Sequence, residues 1–374
     1  MNFVKNKRIL LFVIGTFLAL IPSYIMRFSE STYMWMYNNL KTYPGDLWNF
    51  FTNYIIAQHA KFPPEYPAGL RFFYEVMQFY RYENYSLFFT VNFLIIAFFA
   101  CATTYLLIKI MEVSGQISKL KNIIWFWILA PSFIIYATLN YDAPVVFLIV
   151  LSLYLFFKKK FSGSIIALAA GTVLKIFPVF LLPIILLKCP KEKRLNLFLL
   201  FLSIVFVLNL PYMLSDFSAW IFPYTWQITD NLSKTPESGT YWWIMYKSFG
   251  NWSGAISLIL YAVLYFVTVK KFCKTSLVNL GIAVVLLFLL TDRIYSPQYN
   301  LYLLPFLTLA SYKINKKAFY LLEIINIFII IFLFNIRAEP ARMQILTFIK
   351  YFAIIWLFVE NWKVMQKEIN PLRS

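Results

Sequence analysis

The chain has 374 residues, of which 61% are hydrophobic, 21% aromatic and only 13% charged, and its formal net charge is +18. A soluble domain runs near half apolar and a quarter charged. These proportions therefore exclude a water-covered enzyme, a secreted disulfide scaffold and a disordered chain, and leave an integral membrane protein, read as a single membrane domain over 1–374.

The first apolar stretch, 9–26, follows Lys5, Lys7 and Arg8. No small-residue cleavage site follows it and more spans come later, so it is read as a retained first helix. A helix crosses the hydrocarbon core with about 17–25 apolar residues. Further spans are expected at 86–110, 122–139, 144–157, 195–214, 254–269, 276–291, 297–311, 318–336 and 342–359. The stretch 162–187 differs, because Lys158, Lys159 and Lys160 precede it and Lys188, Lys191, Lys193 and Arg194 follow it. Cytoplasmic loops carry the excess of Lys and Arg. Both ends then lie in the cytoplasm, and one crossing cannot achieve that. The expectation is a broken hairpin of two short helices with Lys175 and Pro178 near its tip; the alternative is one crossing that violates the charge rule. The fold class is an all-α polytopic membrane protein with about 10–12 hydrophobic helices and both termini cytoplasmic.

This topology places most of the Lys and Arg inside, with only Glu112, Glu192, Glu360 and Glu368 among the acids there. The large positive charge then describes orientation, and no nucleic-acid partner is inferred from it. Two long outer loops, about 27–85 and 215–253, are rich in Tyr, Trp and Pro, which suits the membrane interface. Cys101, Cys189 and Cys273 are read as free thiols.

Four constellations carry possible chemistry. The first outer loop holds Asp46 after Tyr43-Pro44-Gly45, then Glu65-Tyr66-Pro67. A carboxylate near the interface becomes a stronger base through desolvation, while Asp46 also sits where a helix cap would. The turn Asn140-Tyr141-Asp142-Ala143-Pro144 offers Asp142, either as the cap of the helix opened by Pro144 or as a site residue. In Leu174-Lys175-Ile176-Phe177-Pro178, Lys175 either binds a phosphate as a point charge or snorkels. In Asp292-Arg293 followed by Ser296-Pro297-Gln298-Tyr299, Arg293 either grips a phosphate with its planar fork or pairs locally with Asp292. His59 is the single histidine, so no multi-histidine metal site exists. No Gly-rich phosphate loop or Gly-x-Ser-x-Gly pattern appears.

Taken in order over about 43–305, these motifs resemble the GT-C glycosyltransferases, and most closely glycosyltransferase family 87. The elements of the resemblance are Asp46 ahead of Glu65-Tyr66-Pro67, then Asp142, Lys158-Lys159-Lys160, Lys175-Ile176-Phe177-Pro178 into Leu181-Leu182-Pro183, and Ser296-Pro297-Gln298-Tyr299 ahead of Leu303-Leu304-Pro305. A second Pro common in the family after Glu-Tyr-Pro is Ala68 here. The resemblance implies transfer of mannose or another hexose or pentose from a polyprenyl-phosphate donor to an extracytoplasmic glycan or glycolipid acceptor. It implies inversion, with Asp46 as general base and Glu65 orienting it or holding a sugar hydroxyl. Lys175 and Arg293 would stabilise the leaving phosphate; Tyr66, Gln298, Tyr299, Asp142 and His59 would contact substrate. No metal and no cofactor are expected, and the partners are the donor, the acceptor and membrane lipids. The implied location is the plasma membrane of a prokaryote, with the active site outside. A transporter or flippase of lipid-linked saccharides is the alternative, although the paired repeats such a fold favours are not visible.

Overall fold

The structure, a computed structural model, describes residues 2–32, 34, 47, 51, 66–79, 84–233, 240–293, 296–335 and 340–370. All regular structure among these residues is helical. The chain runs through α1 (Asn2–Arg27), α2 (Ala68–Phe79), α3 (Tyr85–Val113), α4 (Pro131–Tyr136), α5 (Asp142–Phe157), α6 (Phe161–Leu174) and α7 (Leu182–Lys188). It continues through α8 (Arg194–Ser215), α9 (Phe217–Ser233), α10 (Trp242–Phe249), α11 (Trp252–Phe272), α12 (Leu277–Thr291), α13 (Leu304–Leu309), α14 (Lys316–Asn335) and α15 (Pro340–Ile369).

Among the described residues, five helices are long and apolar enough to cross a membrane: Lys7–Arg27, Tyr85–Val113, Lys191–Ser215, Trp252–Phe272 and Met343–Ile369. Their surfaces match a hydrocarbon solvent. Only 17% of the most apolar window of Lys191–Ser215 is buried, and its outward residues include Leu195, Leu199, Leu202 and Phe206. Water would not tolerate so large an apolar face on a monomer. At the centre stands α12, where Leu280, Ile282, Ala283, Val284 and Val285 are fully enclosed. Lipid tails are as apolar as leucine, so close packing and hydrogen bonds hold such a bundle together. Gly281 shows the packing: a Cβ there would lie 2.2 Å from the Phe306 ring, so α13 is pressed against bare backbone. Thr104 supplies the bonding, taking the Trp127 indole N–H at 2.9 Å and sharing a hydrogen bond of 2.7 Å with Thr16.

Local sequence accounts for the ends of α3. The Asn84 side chain accepts from the Ser86 and Leu87 N–H groups at its start. Gly115, at φ 72°, closes its end in the left-handed conformation that glycine adopts most cheaply.

Two of the expected spans are not single helices. The 122–139 stretch is a wide π turn over Ile124–Ile128, a break at Ala130, and then α4. The 297–311 stretch is a 3-10 turn, Pro297–Tyr302, followed by α13. Proline accounts for the break at Ala130 and for the turn that opens at Pro297, since it cannot donate to the preceding turn and restricts the residue before it. Such backbone is tolerated at membrane depth only inside protein, and residues 300–310 are all buried.

The 162–187 stretch does turn back on itself. Helix α6 stops at Leu174, a 3-10 turn spans Phe177–Leu181, and α7 returns. The Lys193 ammonium lies 6.0 Å from the Phe161 ring, so the two ends of the stretch meet on one side. The returning arm packs against α6 at Gly171, whose Cβ position lies in ordinary contact with the Pro178 ring at 3.4 Å. A 14-residue arm rises about 21 Å, less than the roughly 30 Å of a hydrocarbon core.

Candidate functional site

Lys175 stands at the tip of this hairpin. Its backbone is extended (φ −147°, ψ 142°) and its N–H still donates to Gly171, which ends α6 and aims the side chain across at α5. The Nζ lies 2.9 Å from both carboxylate oxygens of Asp142. Asp142 is fully buried, whereas 16% of the Lys175 side chain is exposed. Asp142 does not cap its helix. The cap position of α5 is Tyr141, and no side chain serves it. The carboxylate turns inward instead, where the Tyr302 hydroxyl also donates to Oδ1. Tyr302 is itself fixed by stacking on Phe177, with ring centroids 4.3 Å apart and planes 12° from parallel.

The residues that follow Asp46 and Glu65 in the chain pack beside this pair. Leu47 is buried, and its N–H donates to the Leu139 carbonyl at 3.3 Å, three residues before Asp142. The Tyr66 ring lies 5.6 Å from Tyr74, which meets Tyr141 edge-on at 5.4 Å. Leu47, Tyr74 and Tyr141 belong to one apolar cluster, with Tyr66 packed against it. Asp46, Glu65 and His59 themselves lie outside the described residues.

The Ser-Pro-Gln-Tyr motif begins the Pro297–Tyr302 turn. Gln298 is buried and Tyr299 half-buried. Tyr299 packs 5.3 Å from Phe288, which lies 5.0 Å from Phe177. The motif therefore shares an aromatic wall with the hairpin. Arg293 is 4% exposed and has Tyr246 and Asp292 among its charged or ionisable neighbours. Burial pushes its guanidinium below the ordinary arginine value, and both neighbours oppose that shift.

Beside Lys175, a cavity of about 780 Å³ opens between α2, α6 and α8. Phe72, Val173, Leu174, Val207 and Leu208 make most of its wall, and Glu75 and Tyr212 supply its polar edge through a hydrogen bond of 3.1 Å. Its floor depends on Gly69, where a Cβ would meet the Val173 carbonyl carbon and oxygen at 2.9 Å. Arg71 ties the segment before α2 to α9. It donates through Nε to the Tyr66 carbonyl at 3.0 Å and through Nη2 to the Ala219 carbonyl.

Sequence reasoning passed over Tyr302, Arg71, Glu75 and Glu323. Only Glu323 carried a local signal, as an acid inside an apolar helix. Among the described residues, no three His, Cys, Asp or Glu side chains gather as metal ligands. No family model matches the chain, and no curated protein matches it.

Proposed function

We propose that the protein is a membrane glycosyltransferase of the GT-C class, most similar to family 87. In this reading it moves a sugar from a polyprenyl phosphate to an extracytoplasmic glycan or glycolipid. The observation that carries the reading is the meeting, around Asp142, of four segments that the sequence resemblance had set apart. Leu47 and Tyr66 approach from the first loop, Lys175 from the hairpin tip and Tyr302 from the turn that begins Ser-Pro-Gln-Tyr. The apolar cavity beside Lys175 suits a prenyl chain and would set its phosphate near the ammonium.

In the proposed reaction Asp46 takes the proton of the acceptor hydroxyl as the oxygen attacks the anomeric carbon. The bond from that carbon to the phosphate oxygen breaks, the phosphate leaves with the electron pair, and the configuration inverts. Two of the three ammonium protons of Lys175 face Asp142, and the third can reach a phosphate oxygen. The Lys175–Asp142 pair is close to neutral as a unit. Lys175 therefore acts mainly as an oriented donor, and Arg293, four residues before Pro297, is assigned the further positive charge.

The test is purified protein incubated with a panel of polyprenyl-phosphate sugars and glycolipid acceptors. Glycosylated acceptor should form and polyprenyl phosphate should accumulate, with rates falling about 10²–10⁴-fold in Asp46→Asn. Transfer at the full rate in that variant overturns the base assignment. Movement of the intact lipid-linked sugar between leaflets without transfer would instead establish a flippase.

A further inference from the structure

Among the described residues, one fully buried carboxylate is not used by the proposed reaction. Glu323 lies in α14 at 0% exposure, and each of its oxygens takes a hydrogen bond from a different segment. Oε2 accepts from the Ser132 backbone N–H at 2.7 Å, in the first turn of α4. Oε1 accepts from the Asn300 side-chain amide at 3.0 Å, within the Pro297–Tyr302 turn. One helical turn on, the Asn326 amide donates to the Pro297 carbonyl at 3.0 Å and to the Ser132 hydroxyl at 3.3 Å. Ser132, Asn300 and Asn326 are all fully buried.

These are the two broken segments of the fold, and they supply both sides of the candidate site. Ser132 begins the stretch that leads through Leu139 to Asp142, and Asn300 is two residues before Tyr302. Two broken segments have too few internal hydrogen bonds to fix their own spacing, and hydrocarbon offers them none. We propose that Glu323 is a positioning residue. By holding Ser132 and Asn300 on one carboxylate it sets the separation at which Tyr302 meets Asp142, and Asp142 in turn orients Lys175. This goes one step beyond the transferase reading and rests on it for its kinetic consequence.

The donor pattern supplies a specific test. Both partners donate, so Glu323→Gln leaves one oxygen to accept and sets its own NH2 against the other donor. The double change Glu323→Gln with Asn300→Asp reverses one bond and keeps the charge count. The new amide at position 323 then donates to the new carboxylate at position 300 and still accepts from the Ser132 N–H. Glu323→Gln should lower kcat up to about 100-fold with donor KM little changed, the size expected for a small misplacement at a reacting centre. The double change should restore most of that loss. In a Tyr302→Phe background, Glu323→Gln should cost much less. Phe272→Ala, at the lysine-rich end, should lower the Tm comparably and leave kcat near normal. Fully additive losses with Tyr302→Phe, or a kcat loss matched by Phe272→Ala, overturn the assignment. If the unaltered protein transfers no sugar, the transferase reading fails, and the positioning claim is decided by Tm alone. Tm losses of Glu323→Gln and Asp142→Asn that fall short of their sum then support it, and strictly additive ones overturn it.

Discussion

The Asp142–Lys175 pair separates a residue's chemistry from its sequence signal. Both were conspicuous in the sequence, one as an acid in a turn and the other as a cation in an apolar stretch. Their partnership was not, because it depends on a fold-back that no local pattern specifies. Tyr302 was hidden for a different reason: it lies between Ser-Pro-Gln-Tyr and Leu303-Leu304-Pro305, and nothing in that motif marks it out from Tyr299. Removing one partner of a buried ion pair costs about 3–5 kcal/mol, because the other charge stays uncompensated. Asp142→Leu should therefore destabilise strongly in a detergent melt, while Asp142→Leu with Lys175→Met should recover most of the loss and remain inactive. Recovery of activity as well would show that the pair is only structural. Cys189 gives a pH prediction. Burial pushes its thiol up to about 11, against the partial opposition of Arg194 and Lys193. A thiol raised above its unfolded value favours the fold below that value and ceases to do so as pH rises through 11. Maleimide labelling of Cys189 should accordingly be slow at about pH 8 and accelerate toward about pH 11, and rapid labelling at the lower pH would contradict this.

Among the elements, hydropathy located the apolar stretches and misjudged their continuity. It reports whether residues can face lipid or core, and it is silent on whether a backbone hydrogen bond skips a proline. Pro131, Pro297 and Pro305 were the available signals for the broken segments at 122–139 and 297–311; the π turn at Ile124–Ile128 had none. The hairpin was legible because charge, not hydropathy, betrayed it. Close backbone contacts were also unreadable, and Gly69 is the one nearest the candidate site. It lets α2 touch the backbone at Val173, two residues before Lys175. Gly69→Ala must push α2 away, because backbone atoms cannot rotate aside. The cost should be about 1–3 kcal/mol of stability, and the widened cavity should raise donor KM more than it lowers kcat. A KM equal to that of the unaltered protein would detach α2 from donor binding.

Over the whole molecule, the charge of +18 includes lysines gathered where several helices end. Lys193 lies 6.0 Å from the Phe161 ring, Lys188 donates to the Cys273 carbonyl at 2.6 Å and Lys271 lies 4.6 Å from the Trp362 ring, so the basic ends of α6, α7 and α11 gather on one side. The positive-inside rule reads that side as cytoplasmic, and the hairpin follows only if both of its basic flanks lie there. The two inferences can be tested together. In protein lacking Cys101, Cys189 and Cys273, single cysteines at the exposed positions Lys160 and Lys191 should label with an impermeant maleimide from the same side of a sealed vesicle. Cysteines at the exposed Ser215 and Asn251, which flank the second outer loop, should label only from the other side. Lys160 and Lys191 labelling from opposite sides would make the 162–187 stretch a single crossing. Lys175 would then sit within a span rather than at a turn, and the approach of a lipid phosphate to its ammonium would lose its geometric basis.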